Sequence, residues 1–154
     1  MSQAAQVISL LTGPFGQCPT KETKSSAIVT PGFLIEPLAG TVAAHATAAG
    51  NAQKLFALPN LAVAGSIDTD YASGDTVRFG AFHAGQEVNA LVAAAAPAIL
   101  EGDALESAGN GTLRKLVVAA ATAQSARDSV VGYALAALDN SGGGTSARLA
   151  IRVA

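Results

Sequence analysis

The sequence predicts a mainly β fold: a small β-barrel or sandwich with an extended N-terminal arm and at most one short helix. Three observations carry this expectation. From Tyr71 to Leu116, short alternating apolar segments are punctuated again and again by small polar turns. Period-two alternation is the mark of a strand with one buried face. The turns are the Gly-Asp and Gly-Asn-Gly type that reverse a chain between strands. Finally, 154 residues suit one domain with a real core, yet 35 of them are alanine and only 5% are aromatic. Small side chains let neighbouring strands approach closely but bury less apolar area per residue than Leu or Phe.

Residues 1–25 read differently from the rest. After a modestly apolar start, Thr12-Gly-Pro-Phe-Gly-Gln-Cys-Pro-Thr20 carries two prolines and two glycines, and Lys21-Glu-Thr-Lys24 is charged. Breakers at this density disfavour regular structure, so an extended arm, ordered against a partner, is expected there, with a frayed tail as the alternative. Residues 26–154 are expected to form a single barrel-like domain.

Within that domain, Ala27-Ile-Val-Thr30 and Phe33-Leu-Ile-Glu-Pro-Leu38 read as strands about the Pro31-Gly32 turn. Thr41 to Ala46 and Lys54 to Leu58 read as two more, followed by an acidic loop at Asp68-Thr-Asp70. In Thr76 to His83, Val77, Phe79, Ala81 and His83 share one face, while Arg78, Gly80 and Phe82 share the other. Ala84-Gly85-Gln86 turns the chain into Glu87 to Val92. Leu105 and Leu113 flank Ala108-Gly-Asn-Gly111, where Gly and Asn tolerate positive φ, so a hairpin is expected. Val130 to Leu138 places Val131, Tyr133 and Leu135 on one face and the small Gly132, Ala134 and Ala136 on the other. The last strand sets Leu149, Ile151 and Val153 inward and Arg148 and Arg152 outward. Alanine-rich stretches at Leu91 to Ala98 and Ala119 to Asp128 have helix propensity; Pro97 limits the first, and a single short helix is allowed for.

Charge and motif content narrow the function classes. A net charge of −2 with scattered Lys and Arg opposes duplex nucleic-acid binding, which needs clustered cations. No apolar run reaches transmembrane length, so no membrane partner is expected, and the start lacks the pattern of a signal peptide. Cys18 is the sole cysteine, which excludes an intrachain disulfide and a cysteine metal cluster. His45 and His83 have no ligand-spaced partners, so neither metal nor cofactor is expected. Gly142-Gly-Gly-Thr145 lacks the Lys and the following helix of a phosphate loop. No catalytic constellation stands out, and the chain reads as a structural protein and not an enzyme.

One enzymatic alternative has a motif behind it. Gly65-Ser-Ile-Asp-Thr-Asp-Tyr71 resembles the uracil-recognition hairpin of trimeric dUTP pyrophosphatases, in which Asp68 would help activate water and Tyr71 would stack at the sugar. The family's phosphate-binding Pro-Arg-Ser segment, its early magnesium-binding Asp and its C-terminal arm have no counterpart here, and phosphoryl chemistry needs that cationic scaffold.

A broader resemblance rests on Tyr71-x-x-Gly-Asp-x-Val77, Ala84-Gly-Gln-Glu-Val-x-Ala-Leu91, Gly102-Asp-x-Leu-Glu-Ser107, Ala108-Gly-Asn-Gly-Thr-Leu-Arg-Lys115 and Val131-Gly-Tyr-Ala-Leu-Ala137. In this order and spacing, across roughly residues 35–154, they resemble the head decoration (cement) proteins of tailed bacteriophages. The resemblance implies a small β-barrel, made in the bacterial host cytoplasm, that attaches as homodimers or homotrimers to the exterior of the capsid in the virion. There it would bridge subunits of the major capsid protein and stabilise the shell. A phage spike, fibre or baseplate component on a similar barrel is the alternative within the same class. On this reading the apolar Leu10, Leu11 and Phe15 of the arm are the candidate capsid-contacting residues, since extended peptides often add a strand to a sheet edge.

Overall fold

The computed structural model describes residues 18–117 and 128–154. Among them are ten strands: β1 (Thr20–Lys24), β2 (Ile35–Leu38), β3 (Thr41–Ala44), β4 (Leu55–Ala57), β5 (Thr76–Ala81), β6 (Glu87–Val92), β7 (Ala104–Ser107), β8 (Leu113–Lys115), β9 (Val130–Ala134) and β10 (Ala147–Val153). A single 3-10 turn at Leu61–Val63 interrupts the loop between β4 and β5. The mainly β expectation holds.

The C-terminal half is a closed barrel in the order β10-β6-β8-β7-β9. Its ladders are antiparallel except where β6 meets β8 in parallel through Val92 and Leu113. Alternation decides what faces inward. Leu149, Ile151 and Val153 of β10 meet Val88, Ala90 and Val92 of β6, with Leu105, Leu113 and Val131, in one buried cluster. Side chains such as Leu105, Leu113 and Ile151, which are fully buried, each contribute about 1.5–3 kcal/mol by leaving water. The expected hairpin is present, with Ser107 opposite Leu113 and its turn glycines Gly109 and Gly111 at φ 92° and 78°. Gly111 is required twice over: its φ suits glycine, and a Cβ there would meet the Phe33 ring at 2.8 Å and Ala44 Cβ at 2.9 Å.

Strand β9 departs from the expected faces. Leu105 lies opposite Gly132 but Glu106 lies opposite Val130, so Val131 is an extra residue, a β-bulge. The bulge breaks simple alternation: Val131 and Ala134 enter the core while Tyr133 points out, 47% exposed. Gly132 packs so closely on β10 that a Cβ would lie 2.5 Å from the Arg152 carbonyl oxygen. The expected large and small faces therefore give way to a tight, bulged seam that closes the barrel.

The N-terminal half is built from the sheet β1-β5-β4 and the hairpin β2-β3. Isolated bridges from Leu34 to Phe56 and from Ser25 to Val42 join these two sheets around a second core of Val29, Ile35, Val42, Leu55, Ala57, Tyr71, Val77 and Phe79. β4 is buried on both faces: Leu55 and Ala57 enter this second core, while Phe56 enters the first and meets Phe82 edge-on, with ring centroids 5.7 Å apart. The β1-β5-β4 sheet is thus the shared wall of the two halves.

β1 lies within the segment read as an arm. Its sequence Thr-Lys-Glu-Thr-Lys has no apolar alternation, yet it pairs antiparallel with β5 along its whole length. Extended structure was expected there; the partner strand from the same chain was not. Glu87–Val92 is found as read, whereas the strands read at Phe33 to Leu38, Thr41 to Ala46, Lys54 to Leu58 and Thr76 to His83 are shorter than expected. Around Val29 only a bridge to Tyr71 forms, and the possible helix near Leu91 to Ala98 is instead the end of β6 and a turn. Most of the second alanine-rich stretch lies outside the described residues.

Candidate functional site

The acidic loop that carries the dUTP-like motif is tied down by a cation from the barrel. Arg148, leaving β10, donates from Nη1 to the Pro31 carbonyl at 3.1 Å and from Nη2 to the Ile67 carbonyl and to Asp68 Oδ1, the last at 3.1 Å. Arg148 was expected to face outward; it spans the two halves instead. Tyr71 is 2% exposed, its ring lies in the second core, and its hydroxyl donates to the Leu58 carbonyl at 2.7 Å. Burial raises the Tyr71 phenol above its ordinary pKa. A ring held this way cannot stack on a sugar, so the resemblance to the nucleotide-binding hairpin is one of letters and not of geometry.

A second polar set joins residues that the sequence keeps far apart. His45 Nδ1 lies 2.8 Å from Ser107 Oγ, and His45 Nε2 lies 3.8 Å from Glu36 Oε2. By residue type this matches a nucleophile, a base and an orienting acid. By access it does not: Ser107 is 0% exposed and His45 3% exposed, and Ser107 Oγ also accepts the Gly109 N–H at 3.2 Å. The set fastens the β2-β3 hairpin to the closed barrel and leaves no path for a substrate carbonyl to reach the serine oxygen. His83 is exposed at the end of β5, where its N–H donates to Gln86 Oε1 at 2.9 Å.

Cys18 is buried, and the absence of a Cβ on Gly80 makes room for its sulfur. Burial pushes its thiol pKa up, against smaller opposing effects from its own backbone hydrogen bond and from Arg78. The Gly142–Gly144 loop is braced by Asn140, whose Nδ2 donates to the Ala93 and Thr145 carbonyls at 2.9 and 3.0 Å. Among the described residues, no group of three or more His, Cys, Asp or Glu side chains is placed to hold a metal ion. No helix among them is long and apolar enough to cross a membrane.

What remains is surface. Leu61 and Val63 project from the 3-10 turn, both about two-thirds exposed or more. On the barrel, Tyr133 lies outward on β9, and exposed Leu100 sits in the turn that enters the neighbouring β7. Ion pairs flank this side: Arg152 with Glu87 at 3.1 Å and Lys115 with Asp103 at 2.7 Å. The Lys115 ammonium and the Leu100 N–H hold Asp103 below the usual carboxylate range.

The N-terminal half also opens into a groove of about 430 Å³. Its floor is Leu55, Phe79 and Ala81; Pro19, Lys21 and Thr23 form one wall, and Pro37, Gly40, Thr41 and Val42 form the other. Sequence reasoning missed this feature because its residues come from five strands and the turns between them, and because β1 carries no apolar pattern. The arm residues Leu10, Leu11 and Phe15 lie outside the described residues.

The sequence matches no family model and no curated protein. Its fold is similar to that in a crystal structure of the N base of the head fiber protein gp8.5 of bacteriophage phi29, with a TM-score of 0.58 over 90% of this chain and 95% of that one. The two sequences are 12% identical, so the likeness is one of fold.

Proposed function

We propose that this chain is a structural protein of a bacteriophage virion that binds the exterior of the capsid and stabilises it by bridging major capsid subunits. The observation that carries the reading is the shared fold, over nearly the full length of both chains, with the base of a phage head fiber. The sequence pattern supports it independently, since its Gly-Asp turns and small-residue strands resemble head decoration proteins. The surface is compatible with such a role: its polar constellations are tied into the fold, and its apolar side chains project at Leu61, Val63, Leu100 and Tyr133. Attachment as a homodimer or homotrimer would let several weak contacts act together, because the second contact is made at high effective concentration. The head-fiber likeness also favours a second reading within the class, a base that carries a projecting fibre.

Co-sedimentation of the full chain with expanded capsids tests the proposal. Binding is expected, and it should weaken when Leu10, Leu11 and Phe15 are each replaced by Asp if the arm makes the contact. Undiminished binding of that variant would remove the arm from the account. Failure of the wild-type chain to bind capsids or to appear in purified virions would overturn the capsid reading itself. Electron microscopy of labelled virions separates the two readings: a fibre projecting from each labelled site on the shell is expected of a base, and labelled shell sites without one of a stabilising protein.

A further inference from the structure

The loop after β4 carries a rigid apolar knuckle. Leu61, Ala62, Val63 and Ala64 are all exposed, and the 3-10 turn over the first three buries none of them. Leu61 and Val63 stand 66% and 71% exposed. The neck beneath them is drawn closed: the Gly65 N–H donates to the Asn60 carbonyl at 2.8 Å, and a Cβ on Gly65 would lie 2.8 Å from that same oxygen. Ala64 takes the left-handed conformation at φ 55°, which is unfavourable for a residue with a Cβ. Two branched side chains are thus held in water at a conformational cost, an arrangement that gains only when something covers them.

The groove has the complementary character. A cavity of about 150 Å³ accepts a benzene ring, so one of about 430 Å³ over Leu55, Phe79 and Ala81 has room for the Leu61 and Val63 side chains together. Lys21 is the one charged side chain among the described residues that line it. The knuckle's loop carries the opposite sign: Asp68 and Asp70 follow it, both exposed, and Arg148 already holds Asp68. β4 keeps the two features apart within one molecule. It starts at Leu55 on the groove floor and leads from Ala57 through Leu58 into the neck. Leu58 is fastened at both backbone groups, its N–H to the Arg78 carbonyl at 2.8 Å and its carbonyl to the Tyr71 hydroxyl at 2.7 Å. A knuckle anchored there does not fold back into its own groove.

We propose that the knuckle of one copy seats in the groove of a second copy, with Leu61 and Val63 over Phe79 and Leu55 and with Asp70 beside Lys21. The inference rests on the self-association within the proposed function and gives it a contact surface. Because the contact joins unlike surfaces, two copies satisfy it reciprocally as a dimer, or three in sequence around a ring. The opposite charges at its rim set the orientation, and like charges oppose wrong pairings.

Sedimentation velocity of the full chain tests this without capsids, so its outcome is separate from that of the virion reading. Wild type is expected to self-associate with rising concentration below ~1 mM. Leu61→Asp/Val63→Asp removes the knuckle, and Thr41→Trp fills the groove from the hairpin wall; each alone should associate at least about tenfold more weakly. Mixed in equal amounts, the two should form one-to-one complexes, because each keeps the surface the other has lost. Lys21→Asp and Asp70→Lys should each weaken association, and the double variant should restore it. Leu100→Asp, on the barrel, should leave it unchanged. Recovery in either the mixture or the double charge variant supports the contact; recovery in neither overturns it. A wild-type chain that stays monomeric to ~1 mM would overturn it as well, as would association that survives both surface variants. Association lost equally in Leu100→Asp would assign the contact to the barrel and overturn its placement here.

Discussion

Replacing Gly132 by Ala probes the seam on which barrel closure depends. The backbone there is not in the left-handed region, so alanine brings no φ strain, and by reducing the freedom of the unfolded chain it would on its own stabilise by about 0.4–1 kcal/mol. Against that gain stands a Cβ placed 2.5 Å from the Arg152 carbonyl oxygen and 3.2 Å from both the Arg152 carbonyl carbon and Ile151 Cδ1. Restoring ordinary contact at ~3.5 Å requires a shift of about 1 Å in backbone that is itself hydrogen-bonded across the barrel. Overpacking of this kind costs about 1–3 kcal/mol, so the cost outweighs the gain and a net loss of about 1–2 kcal/mol is expected. Gly142→Ala is the matched control, because nothing lies within 4 Å of a Cβ there; it should be neutral or slightly stabilising. Urea titration of both variants should show a lower midpoint for Gly132→Ala with an unchanged slope, and a melting temperature lower by roughly 2–8 °C. Equal midpoints for wild type and Gly132→Ala, or equal losses for the two variants, would refute the reasoning.

Three further outcomes are expected. Ala39 adopts φ 42° beside Gly40 at φ 86° in the tight β2-β3 turn, so Ala39→Gly should raise stability by up to about 1 kcal/mol, read as a higher urea midpoint. Tyr71→Phe should cost about 1 kcal/mol through the lost hydrogen bond to Leu58, whereas Asp68→Asn, at a side chain 80% exposed, should change stability by less than about 1 kcal/mol; a large loss from Asp68→Asn alone would show that the Arg148 tether matters more than its geometry suggests. Asp103 is held below its ordinary pKa by Lys115, so its contribution to stability is complete above the unfolded carboxylate pKa and is lost as pH falls through the lower folded value. Lys115→Met should therefore move acid unfolding to higher pH while leaving the shape of the profile above neutrality unchanged, as followed by circular dichroism.

Much of the β architecture was legible in the sequence because its causes are local. Leu149, Ile151 and Val153 alternate with Arg148, Ala150 and Arg152, and an alternating segment has only one economical way to bury its apolar side. Gly109 and Gly111 announce the β7-β8 hairpin because few other residues accept positive φ. The mainly β class, the turn positions and the inward face of the last strand follow from such signals alone. Tertiary structure decided the rest, because the causes lie across the fold. Thr20–Lys24 is a strand only because β5 offers it an edge. Val131 joins Gly132 and Ala134 in facing the core while Tyr133 faces out only because β9 bulges against β7. His45 and Ser107, and Arg148 and Asp68, meet only when the halves pack together, and the two walls of the groove only when the β2-β3 hairpin docks on the β1-β5-β4 sheet. A period-two pattern records which face of a strand avoids water; which edge that strand shares, and what its polar residues touch, depends on partners that no local pattern contains.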